Sequence, residues 1–123
     1  MPINGLGCIM PGDNMNREDV VKKLEEICKE YSDILGTVIL FGSYSRGEAT
    51  ERSDIDLYIE PRDKSVTTKK MYKNKRYYEF KCTLYDTFPC EFDLLVYGGK
   101  RDLALVKKSR LWGQIEKDGV TLL

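Results

Sequence analysis

The sequence predicts an α/β chain built on a small mixed β-sheet, and three stretches carry that prediction. Thr37 to Phe41 reads TVILF, an apolar and largely β-branched run that breaks at Gly42-Ser43. Asp54-Ile55-Asp56-Leu57-Tyr58-Ile59 alternates with a strand's period of two. Val20, Leu24, Ile27, Tyr31 and Ile34 or Leu35 fall at helical spacing. A chain of 123 residues with 41% hydrophobic and 33% charged content can bury one core but has no room for a second lobe.

In chain order, residues 1–15 hold Pro2, Gly5, Gly7, Pro11 and Gly12 without periodicity and are expected to form a flexible tail, leaving 16–123 as the domain. Asn16 can cap a first helix whose opening turn carries Glu18 and Asp19, and which ends at Gly36. The strands Thr37 to Phe41 and Asp54 to Glu60 follow, with Pro61 closing the second. Residues 62–90 fit two readings. Tyr78, Phe80, Cys82 and Leu84 alternate like a strand, while Tyr77, Lys81, Leu84 and Phe88, or Tyr78, Cys82 and Tyr85, fit a helical face. Phe92 to Tyr97 is a strand closed by Gly98-Gly99. Asp102 to Val106 and Leu111 to Ile115 are one helix interrupted near Ser109 or two short ones. Lys117-Asp118-Gly119 is a turn, and Val120 to Leu123 a short last strand.

The chemistry concentrates between Phe41 and Glu60. A strand that ends in Gly42-Ser43 exposes backbone N–H groups, which receive anions, and a short helix opening at Ser43 or Tyr44 would add donors and a partial positive charge for a triphosphate. The Ser43 hydroxyl stands beside them. The strand period places Asp54 and Asp56 on one face and Ile55, Leu57 and Ile59 on the other, and two neighbouring carboxylates with no lysine between them attract a cation. Gly42 to Gly47 has the glycine spacing of a Walker A loop, but Glu48-Ala49 follow where Lys-Ser/Thr is required, so a P-loop ATPase is excluded. No G-x-G-x-x-G follows a strand. The chain contains no His, which removes Ser-His and Cys-His nucleophile systems, histidine zinc sites and a histidine general base.

Gly42-Ser43, Arg46-Gly47, Ala49 and Ser53-Asp54-Ile55-Asp56-Leu57, followed by Glu91-Phe92-Asp93-Leu94-Leu95-Val96, resemble the signature of the minimal nucleotidyltransferases of the DNA polymerase β superfamily. The resemblance covers roughly residues 16–123. It implies a nucleotidyltransferase fold with a helix between the second and third strands, which favours the helical reading of 62–90. It also implies transfer of a nucleoside monophosphate from ATP or another NTP to a hydroxyl acceptor, driven by two Mg²⁺ ions, with Mn²⁺ as a substitute. On that reading Asp54 and Asp56 bridge both ions and Asp93 binds the catalytic one. Gly42 and Ser43 hold the β/γ-phosphates, Ser53 belongs to the nucleotide-binding motif, and Arg46 either meets the triphosphate or pairs with Glu48 or Glu51. Stand-alone members of this size resemble the antitoxins that transfer AMP to a HEPN-type toxin. The other readings are transfer to a small hydroxylated molecule, for which an added acceptor domain is missing, and inhibition of a partner by binding alone.

From Lys64 to Lys81 seven Lys/Arg face one acid, so this segment carries +6 and the rest of the neutral chain −6. With Tyr72, Tyr77 and Tyr78 interleaved, it reads either as a solvated face or as a surface for the triphosphate, an acidic partner or RNA. Cys8, Cys28, Cys82 and Cys90 lack C-x-x-C spacing, no apolar run spans a membrane, and Met1 to Asp13 has no secretion-signal pattern. A cytoplasmic protein with reduced thiols is expected. The oligomeric state is left open, a homodimer included.

Overall fold

The computed structural model describes residues 17–50 and 53–123, so the expected tail, the Asn16 cap, Cys8 and Glu51 lie outside the described residues. The elements run α1 (Arg17–Glu30), β1 (Leu35–Phe41), β2 (Ile55–Pro61), α2 (Thr68–Tyr72), α3 (Lys75–Thr87), β3 (Phe92–Val96), α4 (Lys100–Val106), α5 (Arg110–Asp118) and β4 (Val120–Thr121). The sheet order is β3-β2-β1-β4. β1 pairs antiparallel with β2 and with β4, whereas β2 and β3 are parallel, so the sheet is mixed as expected.

The parallel pair explains residues 62–90. Parallel strands cannot be joined by a tight turn and need a crossover, normally helical. Here the crossover is α2 and α3 rather than one helix. Thr67 accepts from the Lys70 amide to start α2, and the Asn74 side chain accepts from the Arg76 and Tyr77 amides to start α3. Tyr77, Phe80 and Leu84 of α3 are buried.

Helices cover both faces of the sheet. Val20, Leu24 and Ile27 of α1 and Tyr77, Phe80 and Leu84 of α3 pack with Ile55, Leu57 and Ile59 of β2. At about 1.5–3 kcal/mol for each fully buried aliphatic or aromatic side chain, this layer supplies most of the driving force for folding. On the opposite face Tyr58 packs with Val106 and Ile115, and with Ile39, Phe41, Tyr97 and Trp112 at the margins.

Several sequence boundaries move. α1 stops at Glu30 and β1 begins at Leu35, not Thr37, because the pairing with β2 bulges between Leu35 and Thr37. Gly36 allows it: a Cβ there would lie 2.5 Å from the Pro61 carbonyl oxygen. β2 begins at Ile55 and β3 ends at Val96. The two-helix reading around Ser109 holds, with Ser109 accepting from the Trp112 amide to cap α5. α5 runs on to Asp118, so only Gly119 of the expected Lys117-Asp118-Gly119 turn stands outside it.

Candidate active site

Strand register brings the acidic residues together. Phe41 at the end of β1 is opposite Asp56 of β2, and Asp56 is opposite Asp93 of β3, so one row across three strands carries two of the three aspartates. Asp54 precedes β2, two residues before Asp56 and on the same side by the strand period. Asp54 and Asp93 are exposed, and Asp56 is half-buried.

Gly42, one residue beyond Phe41, closes the row. Its φ of 78° lies in the left-handed region, and a Cβ built on it would fall 2.1 Å from Asp56 Oδ2. The absent side chain leaves room first for the Asp56 carboxylate, where the sequence had suggested only a phosphate. Residues 43–47 form a turn and not the helix expected at Ser43 or Tyr44. The Ser45 and Arg46 amides both donate to the Gly42 carbonyl, and the Glu48 amide to the Ser43 carbonyl, so the chain curls once and then leaves. Buried Tyr44 and Ser45 anchor this curl, and the Ser45 hydroxyl donates to the Gly42 carbonyl at 2.7 Å. Among the described residues the Ser43 and Tyr44 amides have no backbone acceptor.

Ser53 is held differently from its neighbours. Its hydroxyl accepts from the Thr50 amide at 2.9 Å and its own amide donates to the Thr50 carbonyl, which ties off the loop before Asp54. Arg46 pairs with Glu48 (Nε to Oε1, 2.8 Å) and lies 3.9 Å from Asp118 at the end of α5. The ion-pair reading of Arg46 is thus present in the fold. Asp118 was not singled out in the sequence, because nothing local connects positions 46 and 118.

Electrostatics mark Asp56 as the strained member. Burial, then the Asp93 and Asp54 carboxylates, push its pKa up to about 6, with Arg46 opposing. A divalent cation would relieve that repulsion. The donor set is hard carboxylate oxygen, the kind Mg²⁺ takes, and Mg²⁺ usually binds one or two carboxylates with substrate phosphates completing its shell. Among the described residues no three His, Cys, Asp or Glu side chains converge on a point where they could hold a metal unaided.

The same strand face carries a further carboxylate, Glu60, at its other end. Glu60 is 5% exposed, accepts from the Tyr58 hydroxyl, and pairs with Lys64 (2.8 Å) and Lys107 (3.1 Å). Lys107 Nζ also sits 3.7 Å from the centre of the Trp112 ring. The strand period placed Glu60 beside Tyr58 and Asp56, but its partners come from the β2–α2 loop and from the end of α4.

The model of the "Polymerase beta, Nucleotidyltransferase" family matches residues 22–120. Two relatives from Methanocaldococcus jannaschii both bear the name "Putative protein adenylyltransferase". The chain is 46% identical to one over 46 residues, 37% of this chain and 46% of the relative. It is 30% identical to the other over 95 residues, 75% of this chain and 85% of the relative. Among solved structures it is similar to a mutant of the toxin-antitoxin MntA-HpeT, with a TM-score of 0.50 and 20% identity over 89% of this chain and 73% of that one. A crystal structure described as the toxin-antitoxin with AMP-PNP matches with the same TM-score at 21% identity, again over 89% of this chain and 73% of that chain. At these identities the solved structures support the fold alone. No described helix is long and apolar enough to cross a membrane.

Proposed function

Since the chain belongs to the polymerase β nucleotidyltransferase family, we propose that it transfers AMP from ATP to a hydroxyl group of a partner protein, and that the partner is a toxin of the HEPN type. The observation that carries this reading is the meeting of the Gly42 turn with the opposed carboxylates Asp56 and Asp93. The relatives' name supports the adenylyl group and the protein acceptor, and the fold shared with toxin–antitoxin structures supplies the class of partner to test.

In the proposed reaction the acceptor oxygen attacks the α-phosphorus, the bond to the bridging oxygen of the β-phosphate breaks, and pyrophosphate leaves. The acceptor's proton passes toward the carboxylates. Gly42 and Ser43 hold the β- and γ-phosphates on backbone N–H groups and the Ser43 hydroxyl. Arg46, freed from Glu48 and Asp118, adds positive charge to the triphosphate. Asp54, Asp56 and Asp93 would hold two Mg²⁺ ions, which supply charge neutralisation on the phosphates and lower the pKa of the attacking hydroxyl. Asp56 stands opposite Asp93 and two residues from Asp54.

Incubation of the protein with α-labelled ATP, Mg²⁺ and its partner tests the reading. One or more AMP mass increments should appear on the partner and be absent with Asp56→Ala. A partner that is inhibited stoichiometrically yet unmodified would replace catalysis with inhibition by binding.

A further inference from the structure

The basic segment is not used by the site described above. Of its seven cations, Lys64 is committed to Glu60, and Arg76 to Asp33 and Glu79 at 3.0 and 3.1 Å. Lys69, Lys70, Lys73 and Lys75 are exposed and, among the described residues, make no ion pair.

Tyrosines are interleaved with these lysines along the chain and follow them on α3. Tyr72, Tyr78 and Tyr85 are 52%, 62% and 47% exposed. Two of them are braced. Tyr72 meets Tyr77 edge-on at 5.9 Å, and Tyr85 meets Phe92 edge-on at 5.3 Å, so their contacts fix the rings while about half their surface stays in water. Tyr78, Lys81, Cys82 and Tyr85 recur at i, i+3, i+4 and i+7 and share one flank of α3. Arg76 and Thr83 point the other way, to Tyr31 and Asp33 at the α1 end of the fold.

We propose that this lysine- and tyrosine-bearing flank of α2 and α3 binds single-stranded nucleic acid. Lysine is depleted at protein–protein interfaces, whereas it is a common neutraliser of backbone phosphates. Fixed, half-exposed tyrosines stack on bases regardless of sequence, each worth about 1–3 kcal/mol, and only unpaired bases offer a free face. The charge fits: this segment is +6 in a chain that is otherwise −6. The flank also has a direction. α3 is about 20 Å long, and its far end, Tyr85, touches Phe92, the neighbour of Asp93. A bound strand therefore runs toward the end of the sheet that carries the aspartates. This proposal does not depend on the acceptor being a protein.

The test is fluorescence anisotropy of a labelled oligouridylate of roughly 12 nucleotides, within the usual range of single-strand sites, titrated with the protein at several salt concentrations. Binding should weaken with salt with a log–log slope of about −3, near −0.7 for each of four phosphates neutralised. The triple variant Lys69→Gln, Lys70→Gln, Lys73→Gln should lose most of that slope, and exposed positions keep its circular dichroism native. Tyr78→Leu and Tyr85→Leu should each weaken binding roughly tenfold without changing the slope. Absence of binding at low salt would overturn the proposal. So would equal affinity for poly-glutamate with no effect of Tyr78→Leu, which would identify an acidic protein as the partner.

Discussion

Asp56 and Glu60 stand four residues apart on one face of β2, both withdrawn from solvent, and their surroundings treat them oppositely. Around Asp56 burial and two further carboxylates make the charged form unfavourable, and its pKa rises to about 6. Burial also works against the charge of Glu60. There, however, hydrogen bonds from Lys64, Tyr58 and Lys107 outweigh it, and the pKa falls below the ordinary value. A paired buried carboxylate holds elements together; one crowded by its own kind holds its proton more tightly. Substitutions should therefore separate the two, with activity lost at one end of the strand and stability at the other.

The largest expected effect is on transfer. Asp93→Asn keeps the side chain's size and removes one charge, and should lower the transfer rate by roughly 10²–10⁴. ATP·Mg²⁺ affinity by calorimetry should stay close to the parent value, whereas Asp56→Asn should lose both. A parental rate in Asp93→Asn would make Asp93 an ordinary strand carboxylate.

Gly42→Ala comes next. It places a methyl group on Asp56 Oδ2 and forces a non-glycine residue to a φ of 78°, a strain of about 1–2 kcal/mol. Nucleotide binding should be abolished while the helical circular dichroism persists. Normal ATP binding would put the anion site elsewhere.

Glu60→Gln tests the other end of the strand. It leaves two lysines without their anion, and since both ammonium groups can swing into water the loss should be about 1–3 kcal/mol in urea unfolding. Transfer by the folded fraction should remain. If activity fell as far as in Asp56→Asn, the two carboxylates would form one functional unit.

The smallest effect is on pH dependence. In EDTA the folded chain holds the Asp56 proton more tightly than the unfolded chain, whose carboxyl titrates near 3.8. That contribution to stability therefore grows as pH falls through about 6. Glu60 works the other way: its contribution is present above the ordinary value of 4.5 and is lost as pH falls toward its lower folded value. Between pH 7 and 5 the parent should gain thermal stability that Asp56→Asn does not. With Mg²⁺ and ATP present the trend should reverse, because the ion competes with the same proton. Identical profiles for parent and variant would mean that Asp56 is not repelled by its neighbours.

The sequence by itself determined the strands to within a few residues, the common face of Asp54 and Asp56, and the glycine turn, because periodicity and backbone freedom are local properties. Periodicity left 62–90 open between strand and helix, and only the family resemblance favoured the helices that form. That choice belonged to the tertiary structure, since a crossover is required only once β2 and β3 are parallel. Register decided that Asp56 lies opposite Asp93, and that the space beside Gly42 belongs to a carboxylate. Asp118 on Arg46 and Lys107 on Glu60 were decided the same way. Ion pairs between positions some fifty or seventy residues apart leave no local pattern, because they depend on which helix the folded sheet brings over which strand.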